Sequence, residues 1–142
     1  FAQIIMGAFV SGLDAGKIYQ TWPLMGDDYF PNDFNFEKTN DIFNFESHSL
    51  VQFYHRNLAY LIIFYFLVVS LLVFKKKMFR LYLPLLIVMI SLCLQVILGI
   101  LTILSGAQML LASMHQISSI ILVSFSIYLL FINKKINLQL SS

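Results

Sequence analysis

The sequence predicts an all-α protein, a transmembrane four-helix bundle whose first helix is cut short. Two observations carry that prediction. Of 142 residues, 59% are hydrophobic and 11% charged, and the mean hydropathy is +0.82, whereas a soluble domain carries about a quarter charged residues. The apolar residues are also gathered into runs, and a run of about 20 suffices to cross a bilayer as a helix. Such runs leave little of the chain for a water-soluble core. The net charge of +2 is too small and too segregated along the chain to point to nucleic acid.

Taken in order, the first segment runs from Phe1 to about Leu13, the second from about Leu50 to Phe74, the third from about Leu81 to Leu104, and the fourth from about Met109 to Ile132. Residues 1–142 are expected to form a single transmembrane domain. A polar and aromatic loop, 14–49, separates the first two helices. Lys75-Lys76-Lys77-Met78-Phe79-Arg80 joins the second to the third, and the tight Ser105-Gly106-Ala107-Gln108 turn joins the third to the fourth. The chain opens on Phe1, already inside an apolar segment, with no charged n-region before it and no cleavage site after it. A signal peptide is therefore a poor reading, and a fragment or domain of a longer protein is expected.

Charge sets the expected orientation. Lys75, Lys76, Lys77 and Arg80 flank one end of the helices, and Lys134 and Lys135 emerge at the same end. Asp14, Asp27, Asp28, Asp33, Glu37, Asp41 and Glu46 all fall in the opposite loop, with Lys17 and Lys38 beside them. The positive-inside rule places loop 14–49 outside, and segment 75–80 and the C-terminus inside, of a bacterial plasma membrane or mitochondrial inner membrane. The lone Cys93 lies in an apolar run and reads as core filling. The loop repeats Phe34-Asn35-Phe36-Glu37 as Phe43-Asn44-Phe45-Glu46. That repeat reads either as a lid whose phenylalanines dip into the interface or as compositional bias.

Polar groups inside hydrocarbon are costly, so each needs a reason. His55 and His115 come five or six residues after helix starts near Leu50 and Met109. At about 1.5 Å rise per residue, both lie roughly 8 Å below the outer boundary. Cofactor sites in four-helix bundles are built from such inward-facing side chains, and two imidazoles would give haem iron a six-coordinate site. Ala112, Ser118 and Ser119 share the His115 face, and Ala59 and Gln52 flank His55, small enough in the main to admit a flat macrocycle. Arg56 could pair bidentately with a haem propionate. The alternative is that each histidine hydrogen-bonds a neighbouring helix and Arg56 snorkels to the headgroups. Gln95, Gly99, Thr102 and Gly106 recur at helical spacing on the third helix, and Gln95 needs a partner at mid-membrane depth. Ala8, Gly12 and Gly16, with Gly7, Ser11 and Ala15, form a small-residue stripe on the first helix that reads as close packing. His48 reads as a solvated loop residue. CxxC, phosphate-loop, GxSxG and HExxH patterns do not occur.

The stretch from Gly7 to Met25, GAFVSGLDAGKIYQTWPLM, resembles the GAFVAGL-AG--YNTWPLM signature of the haem A synthase family. Val51-Gln52-Phe53-Tyr54-His55-Arg56-Asn57-Leu58-Ala59-Tyr60 resembles that family's VQF-HR--AY helix, and Gln95 to Thr102 and His115-Gln116 match its remaining landmarks. The resemblance spans nearly the whole chain, in order. Gln20 departs from it, standing where the family has asparagine, and keeps the amide.

The resemblance implies an eight-helix protein of two similar four-helix halves, of which this order of motifs is the C-terminal one. It implies an oxidoreductase that converts haem O to haem A for cytochrome oxidase, oxidising a ring methyl to a formyl by successive hydroxylations. It places haem b on His55 and His115 for electron transfer, while the other half holds the substrate haem O and a glutamate tied to catalysis. Membrane lipid, haem O synthase and cytochrome oxidase assembly factors are the partners so implied. The 142 residues do not include the other half's motifs, so this chain by itself is expected to be catalytically incomplete. A stand-alone four-helix b-type cytochrome and a non-enzymatic haem-delivery factor stay open as alternatives. The TWPLM loop favours the synthase, since a simple electron carrier needs no such feature near the outer face.

Overall fold

Four α-helices follow one another along the chain: α1 (Ala2–Gly12), α2 (His48–Lys75), α3 (Tyr82–Leu104) and α4 (Met109–Ser141). Short 3-10 turns at Ala15–Lys17 and Phe79–Leu81 precede α2 and α3. These elements come from a computed structural model that describes residues 1–33 and 44–141. The Phe34-Asn35-Phe36-Glu37 motif and Phe43 lie outside the described residues.

Three stretches, His48–Lys75, Phe79–Leu104 and Met109–Ile136, are long and apolar enough to cross a membrane, and Ala2–Gly12 is apolar but shorter. At 1.5 Å per residue, the 28 residues of α2 reach about 40 Å, more than the roughly 30 Å of hydrocarbon in a bilayer. Large apolar side chains such as Leu61, Phe64, Leu71, Leu83, Ile120 and Leu130 point outward and are exposed. In water that arrangement would forgo the main driving force of folding. Against lipid tails it costs nothing, so the fold is a helical membrane bundle.

The helices pair as two hairpin-like units. α1 lies along α2, α3 packs most extensively on α4, and α2 meets α3 more lightly. Toward the lysine-rich end a cluster of Val73, Leu81, Leu85, Val88 and Leu129 is buried, with Phe66, Met89 and Phe125 packed around it. Both interhelical turns close by the same device. Lys77 N–H reaches Phe74 O and Met78 N–H reaches Val73 O after α2; Gly106 N–H reaches Ile103 O and Ala107 N–H reaches Thr102 O after α3. This is the Schellman pattern, which satisfies the last helical carbonyls and needs a left-handed residue. Lys77 (φ 53°) and Gly106 (φ 70°) supply it.

α4 runs on past Ile132, the end expected from hydropathy, to Ser141. Ile132 and Ile136 continue its apolar stripe onto the inner cluster, and Arg80 Nη1 donates to Gln139 Oε1 at 3.1 Å. The lysine pair at 134–135 does not end the helix. At the other end α2 starts at His48, which is exposed. Cys93 is corrected. The buried face of α3 is Pro84, Leu85, Val88, Leu92, Gln95 and Leu98; Cys93 sits one residue off that row and is exposed.

Candidate functional site: an imidazole pair between α2 and α4

The bundle brings His55 and His115 together. Their ring centroids are 6.5 Å apart and the rings are nearly perpendicular, at 86°. Each ring is half-buried and sits beside a glycine of the neighbouring helix. A Cβ added to Gly7 on α1 would stand 3.3 Å from His55 Cε1, and one added to Gly99 on α3 would stand 3.1 Å from His115 Cε1. Each histidine also receives an amide. Gln3 Nε2 donates to the His55 carbonyl at 3.1 Å and stands 3.3 Å from His55 Nε2. Gln95 Nε2, on α3, donates to the His115 carbonyl at 3.0 Å and to Ser118 Oγ at 2.8 Å.

Buried polar groups in native proteins are nearly always hydrogen-bonded. Among the described residues, the buried side-chain atoms without a protein partner are Gln3 Oε1, Gln52 Oε1, His55 Nδ1, Arg56 Nε and His115 Nδ1. All belong to the two histidines, to a residue within one turn of His55, or to the amide that touches it. The nitrogens of this imidazole pair are of the kind that could hold a metal ion. With metal–nitrogen bonds of about 2 Å and ring centres roughly 1 Å farther back, two imidazoles on opposite sides of one ion stand roughly 6 Å apart. The observed separation permits that arrangement.

A folded segment of the loop between α1 and α2 packs on α2 beside His55. Ala15, Gly16, Met25 and Pro31 are buried in it. Thr21 Oγ1 donates to Leu24 O at 2.9 Å and accepts from Gly26 N–H at 2.8 Å, closing the Thr21-Trp22-Pro23-Leu24-Met25 turn upon itself. Arg56 then pins the turn to α2: Nη1 donates to Leu24 O at 3.1 Å and Nη2 to Tyr19 O at 2.9 Å. Gln52 Nε2 adds a bond to the same Tyr19 carbonyl at 2.9 Å. Farther out, the Tyr19 hydroxyl donates to Asn32 and Asp33, and burial together with the Asp33 carboxylate raises its pKa above the usual phenol value. Ser49 donates to Asp33 and Tyr29 to Asn57. Gln20 lies against Gly106 and Gly16 against Ala107, so the loop also touches the α3–α4 turn.

Of the residues singled out in the sequence, His55, His115, Gln52, Arg56, Gln95 and Ser118 gather here. Arg56 is only 6% exposed, its terminal nitrogens committed to the loop rather than to the membrane surface. The first-helix stripe divides: Gly7 faces His55, Gly16 faces Ala107, and a Cβ on Gly12 would touch nothing. Phe45 stacks on Phe9 of α1 at 5.6 Å. His48 stays apart from the pair. Gln3 escaped sequence reasoning, yet a signal was there: Gln3 precedes Gly7 by the four residues that separate Gln95 from Gly99.

Fold and site together define a helical membrane bundle with paired imidazoles between its second and fourth helices. Comparison with known proteins is specific about the kind. The COX15-CtaA family, described as cytochrome oxidase assembly protein, matches residues 1–127, and the chain belongs to that family. It is 39% identical over 133 residues to a heme A synthase of Pelagibacter ubique (strain HTCC1062), covering 92% of this chain and 38% of that one. It is 41% identical over 128 residues to a heme A synthase of Wolbachia pipientis wMel, covering 90% and 35%. With a heme A synthase of Rickettsia felis (strain ATCC VR-1525 / URRWXCal2) the identity is 36% over 134 residues, covering 94% and 40%. The chain thus spans about two fifths of the length of the curated relatives it matches. No solved structure matches it.

Proposed function

We propose that this chain is the haem-holding C-terminal half of a haem A synthase, with His55 and His115 as the two axial ligands of a b-type haem. The observation that carries the reading is the imidazole pair at 6.5 Å, ringed by the buried polar atoms that lack a protein partner. Bound there, the haem supplies a one-electron carrier near the outer face of the membrane. The chain's own residues hold it. Gly7 and Gly99 let the ligand helices approach their neighbours closely, and Arg56, one residue from His55 with Nε unpartnered, is the cation available to a haem carboxylate. The loop held by Arg56 and Gln52 keeps water from the outer side of the site.

In the whole protein the substrate is haem O, whose ring methyl is oxidised to the formyl of haem A. Haem O synthase and cytochrome oxidase assembly factors are its expected neighbours. The loop lies outside, and segment 75–80 and the C-terminus inside. The testing experiment is the absorption spectrum of the purified protein. A six-coordinate, low-spin b-type spectrum is expected; His55→Ala and His115→Ala should each turn it high-spin or lose the haem, and His48→Ala should leave it unchanged. A low-spin spectrum that survives either intramembrane substitution removes that residue as a ligand.

A further inference from the structure

We infer that Gln3–Gly7 on α1 and Gln95–Gly99 on α3 are a matched pair of positioning elements, one for each ligand histidine; this rests on the haem-ligand reading above. Both pairs have the spacing Gln-x-x-x-Gly, which puts amide and glycine on one helix face a turn apart. Both do the same two things to the histidine opposite. The amide donates to the histidine's own carbonyl, at 3.1 Å for His55 and 3.0 Å for His115. The glycine lies against the same atom of the ring, Cε1, so closely that a Cβ would stand at 3.3 and 3.1 Å. The α1–α2 contact is thus repeated by α3–α4, with the imidazole pair between the two.

The physics gives the pairs a task. A histidine carbonyl in a helix interior already accepts from the N–H four residues on, and the glutamine adds a donor from the neighbouring helix, joined at His115 by the Ser118 hydroxyl of the same helix at 3.1 Å. The glutamine bond fixes the height and rotation of the ligand helix against its neighbour. The glycine fixes how near the ring can come to that neighbour. Metal geometry must hold within about 0.5 Å and 10–20°, so these contacts act on the spin state through the histidines without touching iron. The two elements are not equivalent. The second N–H of Gln95 goes to Ser118 Oγ at 2.8 Å, whereas Gln3 Nε2 also stands 3.3 Å from the His55 ring nitrogen. A change at Gln3 reaches the imidazole directly, and one at Gln95 reaches it only through the backbone.

The test uses the full-length haem-loaded protein, read by electron paramagnetic resonance of the low-spin haem and by the rate of haem loss to apomyoglobin. Gln3→Met and Gln95→Met keep the side-chain length and remove the donor. Each should shift the low-spin signal and speed haem loss roughly three- to tenfold, the size of one net hydrogen bond, with the larger signal shift at Gln3. Gln95→Glu, which when protonated keeps one donor for the His115 carbonyl, should return toward wild type. Ser118→Ala keeps the Gln95 bond to that carbonyl but removes the serine hydroxyl's own at 3.1 Å, so it should move the signal less than Gln95→Met. If the methionine variants do not accumulate, Gly7→Ala and Gly99→Ala carry the test, each displacing one ring by a few tenths of an ångström and shifting the same signal. Unchanged signals in the glutamine variants, or in the glycine variants, overturn the inference while the ligand reading stands, provided His55→Ala and His115→Ala abolish the low-spin signal. If either histidine variant keeps that signal, the ligand reading falls and the pairing falls with it.

Discussion

Arg56 shows how much one side chain can organise. Its two terminal nitrogens hold the carbonyls of Tyr19 and Leu24, which lie more than thirty residues earlier in the chain, while its backbone adjoins His55. Hydrogen bonds from a charged donor contribute about 1.5–3 kcal/mol each, so Arg56→Leu should release the loop. We expect Lys17, next to that segment and exposed, to be cut by trypsin markedly faster in the variant. Arg56→Lys should fall between, since an ammonium cannot span two carbonyls as a fork does; unchanged cleavage in Arg56→Leu would show that the loop holds itself. At this scale the sequence was unevenly legible. His55, His115 and Gln95 stood out because polar groups are rare in hydrocarbon. Gln3 did not, because its partner is 52 residues away and nothing in spacing alone joins two helices. Arg56 was legible as a charge near a histidine, but its use as a tether depends on the folded path of the loop.

Helices follow a simpler logic than side chains. Hydropathy located all four, because an apolar run has few other ways to satisfy its backbone in a membrane. What hydropathy cannot see is helix that continues past an apolar run into polar sequence, which is why α4 outruns the end at Ile132. Nor can it orient a partly buried helix from composition alone: α3 is apolar nearly all round, so only the packed structure shows that Cys93 faces outward while Leu92 is buried. The loop between α1 and α2 was the least legible element, since Gln52 and Arg56 shape it through contacts distant in sequence. Orientation is the element-scale property to test. In a Cys93→Ala background, a cysteine at Asp27 should react with an impermeant maleimide from outside, and one at Lys76 only after the inner face is opened, as lysine-rich ends stay inside. Labelling of both from one side would break the four-helix arrangement.

At the scale of the whole molecule, the contents of the membrane decide what the chain can do by itself. His55 and His115 are the histidines placed as a pair, and α1 to α4 contain no aspartate or glutamate. With that pair proposed for the b-type haem, the described helices offer no second histidine pair to seat a substrate porphyrin and no carboxylate to move a proton at its methyl carbon. Misplacement by 1 Å can cost a hundredfold in rate. We therefore expect this chain, supplied with haem O and an electron acceptor, to form no haem A by chromatography of extracted haems. Co-expression with a segment that carries a second histidine pair and a membrane glutamate should restore formation, and formation by the chain alone would mean that the His55–His115 site accepts substrate. The division of the bundle into two hairpins also bears on biogenesis. One histidine belongs to the first hairpin and the other to the second, so the ribosome must add the residues from 56 to 115 before both exist, several seconds at 5–20 residues per second. During that interval the newly inserted first hairpin presents a single imidazole beside Gln3. If the two histidines are the haem's ligands, six-coordinate haem forms only after membrane integration of the last helix, and a chain stalled before α4 should carry no low-spin haem.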